Sequence, residues 1–284
     1  MVTVGWVNGQ LLPIDVVRVA ADDRGFTLGD GLFETIRISR GQPVLLDFHL
    51  RRLCQGAKVL ELGLPPLMGL GDAVRQVVAV NKFAEAVVRL NVSRGVGQRG
   101  LATTPGMVPT VIITAYPYQP YPARWYSDGV EAVVTGVVRN ERSPVANIKS
   151  LSYIEQVLAR QVAQRHGADV GLLLNTRGQI VSADCANLFV VRGHSLLTPS
   201  LEMGALPGVV RQVLLNIAGG LGLEVAEVEL SRTDILAGDE VLLTNVLLEV
   251  APLVLLDGEH IGSGYPGPYA TRLHHAYRLV VGTM

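Results

Sequence analysis

Lysine is rare in this chain, and one of its three lysines stands where an amine could do chemistry. The 284 residues include Lys58, Lys82 and Lys149, against twenty-one arginines. Lys149 lies in the stretch Asn147-Ile148-Lys149-Ser150-Leu151-Ser152-Tyr153, ahead of a predicted helix. An amine can lose its proton and form a Schiff base with a carbonyl compound, which a guanidinium cannot do. This residue type at this place therefore points to a carbonyl cofactor.

The predicted helix after Lys149 has a marked beginning. Ser152 and Glu155 have the spacing of a capping box, which predicts Ser152 as the N-cap. An apolar stripe at helical spacing follows, formed by Ile154, Val157, Leu158 and Val162. The positive end of this helix would favour the neutral, nucleophilic form of a nearby amine. The alternative is an ordinary surface lysine before a helix.

Two further stretches could bind an anion. Residues 206–211, Leu-Pro-Gly-Val-Val-Arg, put proline and glycine at the start of a predicted helix, so the backbone N–H groups of Val209 and Val210 would point at a bound phosphate. Arg52, in residues 49–53, is polar on another predicted helix and could be a second phosphate ligand. The alternatives are a common capped helix start and a solvated arginine.

Together and in this order, these stretches resemble the class IV (fold type IV) pyridoxal-phosphate enzymes. That family includes branched-chain and D-amino-acid aminotransferases and 4-amino-4-deoxychorismate lyase. The matching pieces are residues 8–9, 23–35, 49–53, 147–153, 187–189, 198–199, 206–211 and 249–252. The resemblance implies that Lys149 is the Schiff-base lysine and that Arg52, with the amides of Val209 and Val210, binds the cofactor phosphate. It also implies that Thr35 lines the reacting face and that Phe33 contacts the substrate.

Within the family, the lyase is the closer match. Residues 93–100, Ser-Arg-Gly-Val-Gly-Gln-Arg-Gly, look like a lyase stretch, and residues 153–160 are similar to the lyase helix after its lysine. Asn245, in Thr-Asn-Val-Leu, stands where transaminases usually show Ser/Gly-Thr, which implies that it faces the cofactor or the substrate ring. Arg99 and Arg94 are candidates for binding the carboxylates of a doubly anionic substrate, with solvated loop arginines as the alternative.

One position departs from the family pattern. The family has a glutamate five residues before the asparagine that matches Asn187, where it keeps the pyridine nitrogen protonated; this chain has Ser182. A hydroxyl cannot hold that proton as a carboxylate does, so the ring becomes a weaker electron sink. Asp184 lies two residues on and could substitute if the segment is extended. The other possibilities are a shifted register, a neutral ring and the loss of activity.

The pattern of elements predicts an α+β fold. It indicates two mixed halves, over residues 1–116 and 127–284, separated by a Pro/Tyr-rich linker over 117–126. The resemblance implies that the first is a small N-terminal α/β domain and the second a larger C-terminal pseudo-barrel domain that binds pyridoxal 5'-phosphate. Residues 1–6 lack a basic segment, so we expect no signal peptide. A net charge of −1 argues against nucleic-acid or membrane partners, and the two cysteines and six histidines show no metal-ligand spacing. These features fit a cytoplasmic enzyme, and the resemblance implies a small amino substrate and a homodimer.

The resulting expectation is a 4-amino-4-deoxychorismate lyase, which eliminates pyruvate to give 4-aminobenzoate for folate synthesis. Its main rival is a class IV aminotransferase that acts on D-amino acids or branched-chain amino acids. A second rival is a catalytically silent scaffold that has lost cofactor use through Ser182.

Overall fold

The computed structural model describes residues 3–282, which form two compact units. The first unit contains the residues up to Gln119 together with Ile148–Ser152, and the second contains Pro120–Asn147 and the residues from Tyr153 onward. Residues 1–2 of the segment that we expect not to be a signal peptide lie outside the described residues. No helix within residues 3–282 has both the length and the apolar character needed to cross a membrane.

The first unit is built on a six-stranded antiparallel sheet with the order β2-β1-β6-β5-β3-β4. Its elements are β1 (Val4–Val7), β2 (Gln10–Pro13), α1 (Arg24–Leu28), β3 (Gly31–Ser39), β4 (Gln42–Pro43), α2 (Leu46–Val59), α3 (Leu67–Asn81), β5 (Ala86–Ser93) and β6 (Thr110–Pro117). Asn8 and Gly9 join β1 to β2 with positive φ at both residues, the conformation that an Asn-Gly pair favours in a tight hairpin. Apolar residues of α2, α3 and the sheet form one core.

The segment that carries Lys149 belongs to the first unit because it pairs with β3. The amide of Phe33 donates to the carbonyl of Lys149 at 2.9 Å, and the amide of Leu151 donates to the carbonyl of Gly31 at 2.9 Å. Ile148 is buried in the core of this unit. A division of the chain at the proline-rich stretch alone does not foresee this return, because hydrogen bonds between residues far apart in sequence leave no local pattern.

The second unit contains a nine-stranded mixed sheet with the order β12-β11-β10-β13-β14-β7-β8-β9, and β15 pairs with β14. Its elements are α4 (Arg124–Ser127), β7 (Val130–Arg139), α5 (Ile154–Arg165), β8 (Val170–Asn175), β9 (Ile180–Ala183), β10 (Asn187–Arg192), β11 (Ser195–Pro199), α6 (Val209–Ile217), β12 (Glu224–Val228), α7 (Arg232–Leu236), β13 (Glu240–Asn245), β14 (Glu249–Leu256), β15 (Glu259–His260) and α8 (Pro268–Val281). After α5, the strands β8, β9 and β10 follow one another along the chain.

The start of α5 differs from the sequence prediction. The helix begins at Ile154 with Tyr153 at its N-cap, and no side chain caps it, so the predicted Ser152 cap is wrong. Ser152 lies one residue too early because it still belongs to the segment that pairs with β3. We therefore give Ser152 no part in activating the Lys149 amine.

The apolar stripe of α5 is largely exposed, whereas the apolar stripe of a helix usually faces the protein core. Its buried residues are Gln156, Ala159 and Ala163. Two members of the predicted stripe, Ile154 and Leu158, are 60% and 45% exposed. Small residues allow the helix to approach the sheet closely, which leaves the larger aliphatic side chains on the outside.

Candidate active site

The backbone of Lys149 is fixed by its pairing with β3, and its side chain lies along an aromatic ring. Nζ of Lys149 is 4.3 Å from the centroid of the Phe33 ring. Phe33 is 2% exposed, whereas Lys149 is partly exposed. Lys149 and Phe33, both predicted as site residues, are therefore neighbours in the structure.

A third residue of the first unit, Arg89, meets the same ring. Its guanidinium carbon is 3.3 Å from the Phe33 centroid, and its Nη1 donates to Oγ1 of Thr35 at 3.3 Å. Nε of Arg89 donates to Oδ1 of Asn91 at 3.1 Å. Arg89 and Thr35 are direct cross-strand partners on β5 and β3. An amine and a guanidinium thus share one aromatic ring, beside the hydroxyl of Thr35.

Arg89 was not predicted as a site residue from the sequence. A usable signal was present, because Arg89 and Asn91 are polar residues at alternate positions of the strand Ala86–Ser93, which is apolar up to its last residue apart from these two. Alternation by two puts both side chains on one face of the sheet. The cross-strand register that brings Arg89 to Thr35 is not visible in the sequence.

Arg52 is held by a buried carboxylate that the sequence analysis also left without a role. Nε of Arg52 donates to Oε1 of Glu34 at 2.8 Å, and Nη2 donates to Oε2 at 2.6 Å. His49 Nδ1 lies 2.7 Å from Oε2 of the same carboxylate. Burial alone would raise the pKa of Glu34, but the charge and hydrogen bonds of Arg52 and the hydrogen bond of His49 lower it to about 2. Glu34 is therefore a buried anion.

The two arginines proposed to bind substrate carboxylates have different surroundings. Arg94 forms an ion pair with Asp30, and it also donates to the carbonyls of Leu60 and Glu61. Because the Arg94 guanidinium already donates hydrogen bonds to these protein groups, the arrangement argues against Arg94 as a substrate ligand. Arg99 is exposed. Arg99 therefore differs from Arg94, which is only partly exposed and is held by protein groups.

Asp30 links that loop to a second arginine. Burial alone would raise the pKa of Asp30, but hydrogen bonds and charge from Arg94 and Arg24 lower it. Arg24 also donates to the carbonyls of Gly100 and Leu101, at 2.9 and 3.0 Å. The loop that carries Arg99 is therefore anchored by a buried arginine at its tip.

In the second unit, the stretch predicted to bind phosphate forms the N-terminus of α6. The helix begins at Val209 with Gly208 as its extended N-cap, and no side chain caps it. The amides of Val209 and Val210 therefore have no partner within the helix. Nδ2 of Asn187 donates to the carbonyl of Leu206 at 2.9 Å and fixes the turn that leads into the helix. This geometry can receive an anion.

Ser182 lies in β9. The nearby Asp184 is not a substitute carboxylate with an unoccupied oxygen, because each of its oxygens accepts a hydrogen bond from the protein. Nη2 of Arg160 donates to Oδ1 of Asp184 at 2.7 Å, and the amide of Gly171 donates to Oδ2 at 3.0 Å. Burial raises the pKa of Asp184, although the charge of Arg160 opposes the rise. Burial also raises the pKa of the adjacent Cys185 thiol, to about 12, which favours the protonated thiol over the nucleophilic thiolate.

Asn245 closes a turn of the second unit. Its Nδ2 donates to the carbonyl of Cys185 at 3.0 Å, and its Oδ1 accepts from the amides of Leu247 and Leu248 at 2.8 and 2.7 Å. The preceding Thr244 pairs with Asn187 across the sheet, and its buried Oγ1 has no hydrogen-bond partner within residues 3–282. A buried hydroxyl without a partner is costly unless a ligand or water completes it.

Comparison with known proteins shows the family to which the chain belongs. The sequence model of the amino-transferase class IV family matches residues 31–256, and the chain therefore belongs to this family. The family consists of enzymes that use pyridoxal phosphate, and the chain is an enzyme of this class.

Three similar proteins show the range of activities in the family. A putative branched-chain-amino-acid aminotransferase of Methanocaldococcus jannaschii is 32% identical, over 96% of this chain and 94% of that protein. The structure of the Escherichia coli branched-chain amino acid aminotransferase has a TM-score of 0.94 at 28% identity and covers 100% of this chain and 96% of that chain. The 4-amino-4-deoxychorismate lyase of Pseudomonas aeruginosa has a TM-score of 0.87 at 32% identity and covers 96% and 98%. These likenesses confirm the predicted α+β, fold type IV architecture.

Proposed function

We propose that this chain is a pyridoxal-phosphate-dependent 4-amino-4-deoxychorismate lyase, which forms 4-aminobenzoate and pyruvate for folate synthesis. The observation that carries the proposal is the stretch that precedes Asn187. Ser182 offers a hydroxyl, and both carboxylate oxygens of Asp184 are bonded to Arg160 and Gly171. A pyridine ring without a carboxylate at its nitrogen is a weaker electron sink. Release of an aromatic product offsets this weakness in the lyase reaction, whereas transamination has no such product.

Two sequence features support the same choice. Asn245 and the Ser93-Arg94-Gly95 stretch follow the lyase pattern.

The amine of Lys149 suits the carbonyl of pyridoxal phosphate, and the amides at the start of α6 suit its phosphate. Within residues 3–282, the position that matches the family glutamate offers the ring nitrogen the hydroxyl of Ser182 instead of a carboxylate. When bound, the cofactor supplies a carbonyl that condenses with an amine and a ring that accepts electrons from the neighbouring carbon. Lys149 would hold it through its amine. Arg52 and the amides of Val209 and Val210 would bind its phosphate, and the buried Thr244 hydroxyl marks a further polar atom that a ligand can complete.

The chain's own groups account for the handling of substrate and proton. The amine of Lys149 takes the proton from the carbon that bears the substrate amine. Arg89 presents its guanidinium beside Phe33 and Thr35, so it can bind and orient one substrate carboxylate. Arg99 is the candidate for the second carboxylate. The elimination divides the substrate into 4-aminobenzoate and pyruvate and consumes no second substrate.

The test is a turnover assay of the purified, cofactor-loaded protein with 4-amino-4-deoxychorismate. We expect 4-aminobenzoate and pyruvate to form in equal amounts without any keto acid. Amino transfer from an amino-acid panel to a keto acid, measured in parallel, should be slow or absent. Amino transfer without formation of 4-aminobenzoate would contradict the proposal.

The second candidate is an aminotransferase acting on branched-chain amino acids or D-amino acids. The observation that favours it is the identity to the Methanocaldococcus jannaschii protein, which extends over nearly the whole length of both chains. It predicts that an amino donor alone converts the bound cofactor to its pyridoxamine form. A catalytically silent scaffold would stay colourless after incubation with pyridoxal phosphate, and that result would contradict both activities.

We further propose that the enzyme is a cytoplasmic homodimer in which two copies of α5 pack together. Ile154, Val157 and Leu158 expose 60%, 46% and 45% of their surface on this helix. Adjacent exposed aliphatic side chains are typical of a protein interface. The first turn of α5 contains Glu155 and its last turn contains Arg165, so antiparallel packing of two copies would pair opposite charges.

Replacement of Leu158 with glutamate is expected to weaken this dimer. A charge at the centre of a desolvated interface costs about 2–4 kcal/mol, which corresponds to about 30- to 800-fold in the dissociation constant. Sedimentation velocity across a concentration series measures the change. Met68→Glu is the matched control, because Met68 is 84% exposed on α3 and should leave the dimer intact. A Leu158→Glu protein that dimerises as tightly as the wild type would contradict the assignment of this face.

A further inference from the structure

The strand β3 contains a carboxylate where its neighbours are apolar core residues. Glu34 is 0% exposed, as is Ile36, and Leu32 is 1% exposed. Both polar partners of Glu34, His49 and Arg52, come from α2. A charged group in the core of a small sheet requires an explanation, since an ion pair of this kind is often no more stabilising than apolar side chains of similar volume.

The geometry of the cluster fixes the plane of one guanidinium. Nε and Nη2 of Arg52 bind the two oxygens of Glu34 in a bidentate fork. Burial lowers the pKa of His49, and the nearby charges of Arg52 and Lys149 lower it further against the opposing effect of Glu34. A neutral His49 must donate from Nδ1 to the anionic carboxylate, which holds Oε2 in place for the fork.

Solvent exposure in the cluster of Glu34, His49 and Arg52 increases from the carboxylate to the guanidinium. The side chain of Glu34 is 0% exposed and that of His49 is 1% exposed, whereas Arg52 keeps 10% of its side-chain surface accessible. A guanidinium has five N–H donors, and the fork to Glu34 uses the Nε edge. The carboxylate thus sets the plane of the Arg52 guanidinium.

We infer that Glu34 and His49 are positioning residues that hold the Arg52 guanidinium in a fixed orientation for the phosphate of the cofactor. This inference rests on the proposed function, in which Arg52 binds that phosphate. A guanidinium that is already immobilised loses little conformational freedom when it binds, so more of the interaction appears as affinity. The buried carboxylate has this effect although its negative charge opposes the binding of an anion.

Glu34→Gln separates orientation from charge, because the two predict opposite signs. The amide keeps the size of the side chain and removes the charge that repels phosphate, so a purely electrostatic role predicts tighter binding. An amide offers Arg52 only one acceptor oxygen, so a positioning role predicts weaker binding. We expect the affinity of the apoenzyme for pyridoxal 5'-phosphate to fall about 10-fold or more, as expected for loss of a charge-assisted hydrogen bond.

Pyridoxal without the phosphate is the internal reference in this experiment. It offers the same carbonyl to Lys149 but nothing to Arg52, so its affinity for Glu34→Gln should stay within about 2-fold of the wild type. Both ligands are titrated against apoenzyme by absorbance. An equal loss for both would show a general structural defect, and tighter binding of the phosphorylated ligand would show a purely electrostatic role; either result overturns the inference.

Three more variants complete the design. His49→Asn keeps an amide donor near the position of Nδ1 and should lose less affinity for the phosphorylated ligand than His49→Leu, which also provides the test if Glu34→Gln fails to fold. Glu85→Gln is the matched control, because Glu85 binds Arg37 in the same sheet but is exposed. It should change neither affinity.

The outcomes distinguish this inference from the proposed function. If the wild type binds pyridoxal 5'-phosphate no more tightly than pyridoxal, the assignment of Arg52 as a phosphate ligand fails, and the inference fails with it. If the wild type prefers the phosphorylated form and the Glu34 and His49 variants keep the full preference, only the positioning role is wrong.

Discussion

Replacement of Lys149 with alanine is expected to abolish the covalent attachment of the cofactor and to remove turnover. The chain has two other lysines, and neither lies in the segment that pairs with β3 beside Phe33. Proton transfer by a positioned side chain alone is worth about 10²–10⁴-fold in rate, and loss of the nucleophile adds to this. Turnover of 4-amino-4-deoxychorismate should therefore fall by at least about 1,000-fold.

The low lysine content makes the attachment easy to locate. Borohydride reduction of the loaded wild type, followed by proteolysis and mass spectrometry, should put the cofactor on the peptide that contains Lys149 and not on those with Lys58 or Lys82. Lys58→Ala is the control, because Lys58 is exposed on α2 and should retain both the label and the activity. An unchanged cofactor spectrum in Lys149→Ala would rule out this lysine.

The parts of the candidate site that could be predicted from sequence are those coded by short stretches. The start of α6 could be predicted from the local sequence, because a proline and an extended glycine before Val209 determine where the helix begins. The structure has the helix start at that residue. The hairpin at Asn8 and Gly9 follows from the same kind of rule. Lys149 stood out by residue type, because an amine is exceptional in an arginine-rich chain.

The parts that could not be predicted depend on pairing between distant residues. Arg89 reaches Thr35 only through the register of β5 on β3, and Glu34 reaches His49 and Arg52 only because α2 packs on that sheet. Arg94 resembled a substrate ligand by its position in a motif, yet Asp30 and two carbonyls occupy its guanidinium. Sequence indicates which side chains are available, and tertiary contacts decide which of them are occupied.

The orientation of α5 illustrates a different limit. Periodicity correctly detected a helix with an aliphatic stripe, but the sheet side of that helix is formed by Ala159, Ala163 and Gln156. A stripe reports that some apolar surface needs covering, and it does not identify the covering partner. For this helix, the partner that we propose is a second copy of the chain.

Gly208 is the position where we expect the largest effect from adding a single methyl group. A Cβ at Gly208 would overlap Oδ1 of Asn187 and lie 3.0 Å from Cγ of Asn187 and 3.2 Å from Cβ of Arg211. Asn187 cannot retreat freely, because its Nδ2 donates to the carbonyl of Leu206. The backbone of Gly208 is in the extended region that any residue can adopt, so the obstacle is the lack of space rather than the backbone conformation.

Gly208→Ala is therefore expected to lower the free energy of unfolding by about 1–3 kcal/mol, the usual cost of overpacking. It should also weaken the binding of pyridoxal 5'-phosphate by about 10-fold or more, because a shift at the start of α6 moves the amides of Val209 and Val210. Chemical denaturation and cofactor titration measure the two effects. Gly219→Ala is the control, since a Cβ there meets nothing within 4 Å.

Adding Asn187→Ala to Gly208→Ala removes the obstructing atom. The double variant should therefore lose less free energy of unfolding than the two single variants lose in sum. Strict additivity would mean that the helix start does not depend on this contact.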